Sequence, residues 1–245
     1  MALGRDKVAK IVKNLTDAKM GILGFDMVFA EKDRTSTNIN HDKILSEVLK
    51  TSPAILGFVF NFENNSTNNL PPVQNAIFSQ SGLNKNNNFM IEAKGYTTNI
   101  QTLQQSAYSS GSFNMIPDSD GVVRYVPLVF SYGGSIYPSL TLEMLRAMLG
   151  VQIVNINYDQ NGIENIKIGD ITIPTDRYGR VFVNYTGSKK RYTYISALDI
   201  YNNTFKKSDI AGKILLLGTS ASGLLDLRST PFSSTFPGSR FMQMS

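Results

Sequence analysis

"GILGFDMVFA", residues 21–30, decides how this chain is read, because it is apolar on both of its alternating faces. Such a run suits a strand covered from two sides, as in parallel sheets with helices on both faces. It contains one carboxylate, Asp26, and runs directly into Glu31, Lys32, Asp33 and Arg34. An ionised Asp26 inside an apolar strand is costly unless backbone donors or a cation meet it. Arg124 and Arg228 are the candidate cations, and Asp26→Ala is then expected to cost about 3 kcal/mol or more by leaving an arginine unpaired.

Outward from that strand, Val8, Ile11, Val12, Leu15 and Ala18 recur at helical spacing, with Arg5, Lys7, Lys10, Lys13 and Asp17 mostly elsewhere. Residues 5–19 therefore read as an amphipathic helix. Ile44, Leu45, Val48 and Leu49 mark a second helix, and "AILGFVF" (54–60) a second buried strand. Helix–strand–helix–strand is an α/β signature. Residues 61–88 read as loop with a short helix over Val73 to Ser79. From Gly111 the pattern predicts consecutive hairpins, turning at Asp118 to Gly121 and at Gly133-Gly134.

"YPSLTLEMLRAMLG" is apolar nearly all round and reads as a buried helix stopped by Gly150. Further hairpin strands turn at Asn161-Gly162 and Tyr178-Gly179. A short helix follows near Ser196 to Tyr201, and "GKILLLGTSASG" reads as a buried strand ending in a glycine-rich loop. With no long linker and no repeat, the expected fold is α/β, a single domain over 1–245. Its mixed sheet has parallel buried strands flanked by helices, plus an antiparallel hairpin portion.

A chain of 245 residues with 42% hydrophobic composition can bury a large core. The absence of cysteine excludes disulfides, thiolate metal sites and cysteine nucleophiles. The net charge of +5 is scattered, with Lys189 to Arg191 the one run of three, which argues against nucleic acid as a partner. No stretch reaches the roughly eighteen apolar residues of a membrane span.

Enzyme readings find little support. The one histidine, His41, is accompanied by neither G-x-S-x-G nor H-E-x-x-H and reads as a surface residue at a helix start. "GTSASGLL" has the glycine spacing of a phosphate loop, but Leu224 and Leu225 stand where Lys and Ser/Thr belong. "PDSDG" opens like a calcium loop without the later ligands, so a hairpin turn is expected. Asp26, Glu31 and Asp33 offer paired carboxylates of the kind a carbohydrate hydrolase uses, which keeps that reading as the alternative.

If residues 21–30 and 213–218 are parallel neighbours, Glu31, Asp33, Arg34, Gly218, Asp226 and Arg228 all lie beyond strand carboxyl ends on one edge of the sheet. Open α/β sheets place ligand crevices there. The expected polar centre is Asp26, Glu31, Asp33, Arg34, Asp120, Arg124, Asp226 and Arg228, either a ligand site or a structural ion-pair network. No catalytic residue, metal or cofactor is expected.

Four ordered blocks then carry a resemblance: "GFDMVFAEKDR", "GSFNMIPDSDGVVRYVPLVFSYGGSIYPSLTLEML", "IPTDRYGRVFVNYTG" and "GKILLLGTSASGLLDLRSTPFSSTFPG". In order and spacing, over residues 5 to 238, they resemble the type-two CHASE domain. The resemblance implies a sensor without activity of its own, on the periplasmic or extracellular side of the bacterial inner membrane. It implies an unknown small-molecule or envelope stimulus, flanking membrane helices, and a cytoplasmic cyclase or kinase output; a homodimer is left open. Family members usually begin with a further strand and continue past Pro237-Gly238 towards a membrane helix, so the chain is expected to be part of a longer protein.

Overall fold

The computed structural model describes residues 4–83, 89–185, 193–218, 227–230 and 233–237. In chain order the elements are α1 (Arg5–Asp17), β1 (Ile22–Asp26), α2 (His41–Leu49), β2 (Ala54–Asn61), β3 (Ile77–Gly82), β4 (Ile91–Glu92), β5 (Gly95–Thr97), α3 (Gln101–Gln104), β6 (Ser109–Ser112), β7 (Tyr125–Pro127), β8 (Val129–Tyr132), β9 (Ser135–Pro138) and α4 (Leu140–Met148). There follow β10 (Ile153–Tyr158), β11 (Ile163–Ile168), β12 (Ile171–Pro174), β13 (Arg180–Phe182), α5 (Ala197–Asn202), one 3₁₀ turn (Lys207–Asp209), β14 (Ile214–Gly218), β15 (Leu227–Thr230) and β16 (Ser233–Pro237).

The central sheet runs β14–β1–β2–β5, with β6 also paired to β2. β1 is parallel to β14 from Ile22↔Ile214 to Asp26↔Gly218, and parallel to β2 at Leu23↔Ala54 and Gly24↔Ile55. The anticipated parallel pairing of 21–30 with 213–218 is therefore present. β6 is parallel to β2, and β5 is antiparallel to it.

Alternation sends the two faces of β1 to different cores. Leu23 and Phe25, with Ala54 and Leu56, pack on one face against Val8, Ile11, Val12 and Leu15 of α1 and Leu45 and Leu49 of α2. Ile22 and Ile55 pack with Leu140 and Met144 of α4 in a separate cluster. A fully buried Leu or Phe contributes about 1.5–3 kcal/mol, so both layers hold the sheet.

β1 stops at Asp26, four residues short of the apolar run. The chain there turns from β2 to the segment after β5. The Phe29 N–H donates to Asn99 Oδ1 at 2.8 Å, and the Ile100 N–H donates to the Phe29 carbonyl at 2.8 Å. Asn99 is fully buried, and its Nδ2 donates to the Gly57 carbonyl at 2.9 Å. One asparagine side chain thus replaces the ladder where β1 and β2 diverge. Close approach requires the glycine: a Cβ on Gly57 would stand against the Phe25 carbonyl oxygen and the Phe113 ring. Gly57→Ala is expected to lose about 2 kcal/mol, read as a lower urea midpoint at unchanged slope.

The other strands form separate sheets, β12–β11–β10–β3, β4–β8–β9, β7–β13 and β15–β16, antiparallel except for the parallel pairs β3–β10 and β4–β8. Three of the local expectations need correction. The Tyr178-Gly179 turn joins no hairpin, because β12 pairs with β11 and β13 with β7. Residues 73–79 are not helical; Ile77–Gly82 is strand β3, parallel to β10 from Ile77↔Ile153 to Gly82↔Tyr158. Phe78 packs beside Val154 and Ile156, and that tertiary pairing overrides the local pattern. The turn at Asp118 to Gly121 exists, the Gly121 N–H donating to the Asp118 carbonyl at 2.8 Å, but it joins no hairpin. β7 pairs instead with β13, and β6 with β2. The Gly133-Gly134 hairpin (β8–β9) and the Asn161-Gly162 hairpin (β10–β11) are present as read.

α4 begins on a Ser139 cap, whose Oγ accepts from the Leu142 N–H at 3.2 Å, and ends before Gly150 at φ +66°.

Candidate functional site

Because α1 and α2 run against the direction of β1, both begin at the carboxyl edge of the parallel strands. Their first residues meet the segment that leaves β1. Arg5, the first residue of α1, is buried; its guanidinium pairs with Asp42 of α2 and donates to the Glu31 carbonyl. The Arg5 N–H, an orphan donor of the helix start, gives its hydrogen to Asp33 Oδ2 at 2.8 Å. Asp33 Oδ1 accepts from the Thr35 N–H at 2.7 Å and the Thr35 hydroxyl at 2.6 Å. The Asp33 N–H in turn donates to Asp42 Oδ2 at 3.2 Å.

His41 completes this hub. Its Nδ1 lies 2.9 Å from Thr35 Oγ1, 3.6 Å from Asp6 Oδ1 and 3.9 Å from Asp33 Oδ2. It begins α2 as expected, but its side chain is only 13% exposed, so the surface reading is corrected. The Arg5 guanidinium also stands 5.2 Å from the centroid of the Phe29 ring.

Burial at Asp33 works to raise its pKa, but hydrogen bonds from the Thr35 hydroxyl and the Arg5 and Thr35 N–H groups, with the Arg5 charge, bring it down to about 2. Burial lowers the Arg5 guanidinium below its ordinary value, against the opposing pull of Asp33. A carboxyl group held down in the folded state contributes stability above its unfolded pKa near 4 and loses it as pH falls through about 2. In acid titrations of unfolding, the stability gap between the native chain and Asp33→Asn is expected to close between pH 4 and 2. A gap independent of pH over that window would mean that Asp33 is no charged member of the hub.

The residues expected from sequence divide. Asp33 sits in the hub, its side chain 6% exposed. Glu31 and Arg34 are out in solvent, at 78% and 83% exposure, 3.5 Å from each other; an exposed pair of this kind is worth little. Asp26 is half-buried at the end of β1, opposite Gly218. Arg124 is gripped by its own turn, with Nη1 2.9 Å from Asp118 Oδ2 and Nη2 2.8 Å from Asp120 Oδ2. The Arg124 hydrogen bonds hold the Asp120 carboxyl down at about 2. Thus "PDSDG" directs its carboxylates at an arginine. Asp226, the glycine-rich loop at 219–223 and the side chain of Arg228 lie outside the described residues.

Sequence reasoning missed Arg5, which it placed off the apolar face of its helix, and Asp42, which it did not single out. It also missed Glu143 and Arg146, both fully buried in α4. Arg146 Nε and Nη2 donate to Glu143 Oε2 and Oε1 at 2.7 and 2.6 Å, and Nη1 donates to the Val151 carbonyl at 2.5 Å. Hydrogen bonding to Glu143 raises the Arg146 pKa despite burial. The available signal was the i, i+3 spacing of opposite charges inside an apolar helix. A dense aromatic cluster, Phe58, Phe60, Tyr96, Phe130 and Tyr137, continues the core beyond β2.

No group of metal-binding side chains occurs among the described residues. As a class, this is an α/β module with helices on both faces of a mixed, mainly parallel sheet and a hydrogen-bonded charge hub at the carboxyl edge of its parallel strands. The chain matches the family model of the CHASE2 domain over residues 1–243, and it belongs to that family. CHASE2 domains are extracellular sensor modules of membrane signalling receptors. No curated protein and no solved structure matches the chain. Among the described residues, no helix is long and apolar enough to cross a membrane.

Proposed function

We propose that this chain is the stimulus-sensing module of a bacterial transmembrane receptor, on the periplasmic or extracellular side of the inner membrane, and that it controls a cytoplasmic nucleotide cyclase or histidine kinase. The observation that carries the reading is the family match over nearly the whole chain. A small molecule or envelope condition would act by population shift, and only through its differential affinity for two arrangements of the module. The hub supplies a physical element for this: Arg5, Asp33 and Asp42 fasten the start of α1 to the segment after β1 and to α2. A ligand competing for those bonds would change how α1 is seated.

The pairing of Asp26 with an arginine belongs to the same proposal, and urea titration of Asp26→Ala tests it. The alternative, a carbohydrate hydrolase, has little chemistry to stand on. Glu31 lies in solvent, and Asp33 is held ionised by several donors, which suits neither a proton donor nor a base matched to neutral pH. The deciding experiment is the complete reading frame together with receptor output. Membrane spans, a cyclase or kinase module, and an output altered by Asp42→Asn in membranes support the proposal. A frame lacking both spans and module overturns it.

A further inference from the structure

Five Asn-x-Ser/Thr triplets occur in the chain, beginning at Asn14, Asn64, Asn65, Asn184 and Asn202. In an asparagine-rich sequence that count means little; the fold separates them. Asn14 lies inside α1 and spends its amide on the Ile200 carbonyl at 2.8 Å. Asn64 turns its Oδ1 back onto the Ser66 N–H at 3.1 Å and onto the Ser66 hydroxyl. Asn184 depends on Thr186, outside the described residues, and Asn202 is the last helical residue of α5. Asn65 differs from all four. It lies in irregular chain between β2 and β3, Glu63 to Thr67 are all exposed, and no hydrogen bond of its side chain is found among the described residues.

We propose that Asn65 is an N-glycosylation site, the acceptor being the triplet Asn65-Ser66-Thr67. The inference rests on the extracytoplasmic placement of the module, since lipid-linked oligosaccharides are used on that side of a membrane. Asn65 Nδ2 would form a bond to the anomeric carbon of an oligosaccharide carried on an isoprenoid pyrophosphate. The bond from that carbon to the pyrophosphate oxygen breaks, the pyrophosphate leaves with the electron pair, and the displaced amide proton passes to a base of the transferase. A sugar here displaces no packed side chain. It would stand at the edge where the parallel strands end, because the same loop is tied by Asn69 Nδ2 to the Ala30 carbonyl at 3.2 Å. The fold also holds the acceptor back: the Thr67 side chain hydrogen-bonds Tyr96, so transfer to the folded module requires Thr67 to exchange that partner for the transferase.

The test is export of the full-length protein in cells that carry an oligosaccharyltransferase and its lipid-linked donor, followed by mass spectrometry of the tryptic peptide Thr51–Lys85. A glycan mass on this peptide is expected. It should be lost in Asn65→Gln and Thr67→Val, and retained in Thr67→Ser, Asn14→Gln and Asn202→Gln. Circular dichroism of Asn65→Gln controls for folding. An unmodified peptide beside a co-exported, fully glycosylated reporter overturns the inference, as does a glycan that persists in Asn65→Gln. Failure here leaves the sensor assignment standing, because the reading frame and receptor output decide that one separately.

Discussion

Glu143→Ala is expected to destabilise the protein by about 3–5 kcal/mol. The carboxylate it removes is fully buried and bonded through both oxygens to Arg146, which is itself buried. The truncated protein would keep a guanidinium in the interior with no carboxylate beside it, held only by the Val151 carbonyl and the Tyr108 side chain. Leaving a buried charge uncompensated costs more than the pair's own net contribution, so the double replacement Glu143→Leu with Arg146→Met is expected to recover most of the loss. Urea titration of the three variants decides the matter. A single-mutant loss below about 1 kcal/mol would show that water reaches Arg146.

Asp42→Ala is expected to cost about 3 kcal/mol, with a local consequence that Glu143→Ala lacks. Asp42 holds the buried Arg5 guanidinium and accepts the Asp33 N–H, so its loss unfastens the start of α1 and the segment after β1 together. Hydrogen exchange should accelerate at residues 4–9 and 31–36 before the central sheet is affected, because β1 and β14 draw their protection from backbone ladders and apolar packing on both faces. Uniform acceleration over the whole chain would instead make the hub part of the global folding unit. Combining Asp42→Ala with Asp33→Asn should cost less than the two losses added, since both act on Arg5.

The fate of individual residues shows which information was local. β1 and β2 were readable as buried strands because an apolar run bounded by turn residues has few other places to go, and α1 because five apolar residues fall on one helical face; β14 is a strand as read but only half-buried, with Ile214 exposed, since it ends the described strand order of the sheet. The stops at Gly150 and at Gly133-Gly134 were readable for the same reason: positive φ favours glycine over other residues. β3 was not readable, since "IFSQSG" becomes a strand only by pairing with β10, more than seventy residues further on. Nor was the partner of β7, which lies across the molecule in β13.

The polar centre divides in the same way. Asp33, expected from its place after the first strand to join a polar centre, lies among hydrogen-bond donors there, whereas Arg124, one of two candidate partners of Asp26 with Arg228, is held by Asp118 and Asp120 a few residues away. Arg5 and Asp42 look in sequence like ordinary solvent-facing charges at helix starts. They become buried partners because two helices running antiparallel to one strand begin at the same edge.

By itself, the sequence determined the layered α/β class, the family, and the strand on which the sheet is built, because hydrophobic periodicity and turn chemistry act over a few neighbouring residues. Only the tertiary structure decided which charges meet, where β1 yields to Asn99, and which asparagine stands free in a loop. Those outcomes depend on distances between segments remote in sequence, and electrostatic and hydrogen-bond energies are settled within a few ångströms of the atoms involved.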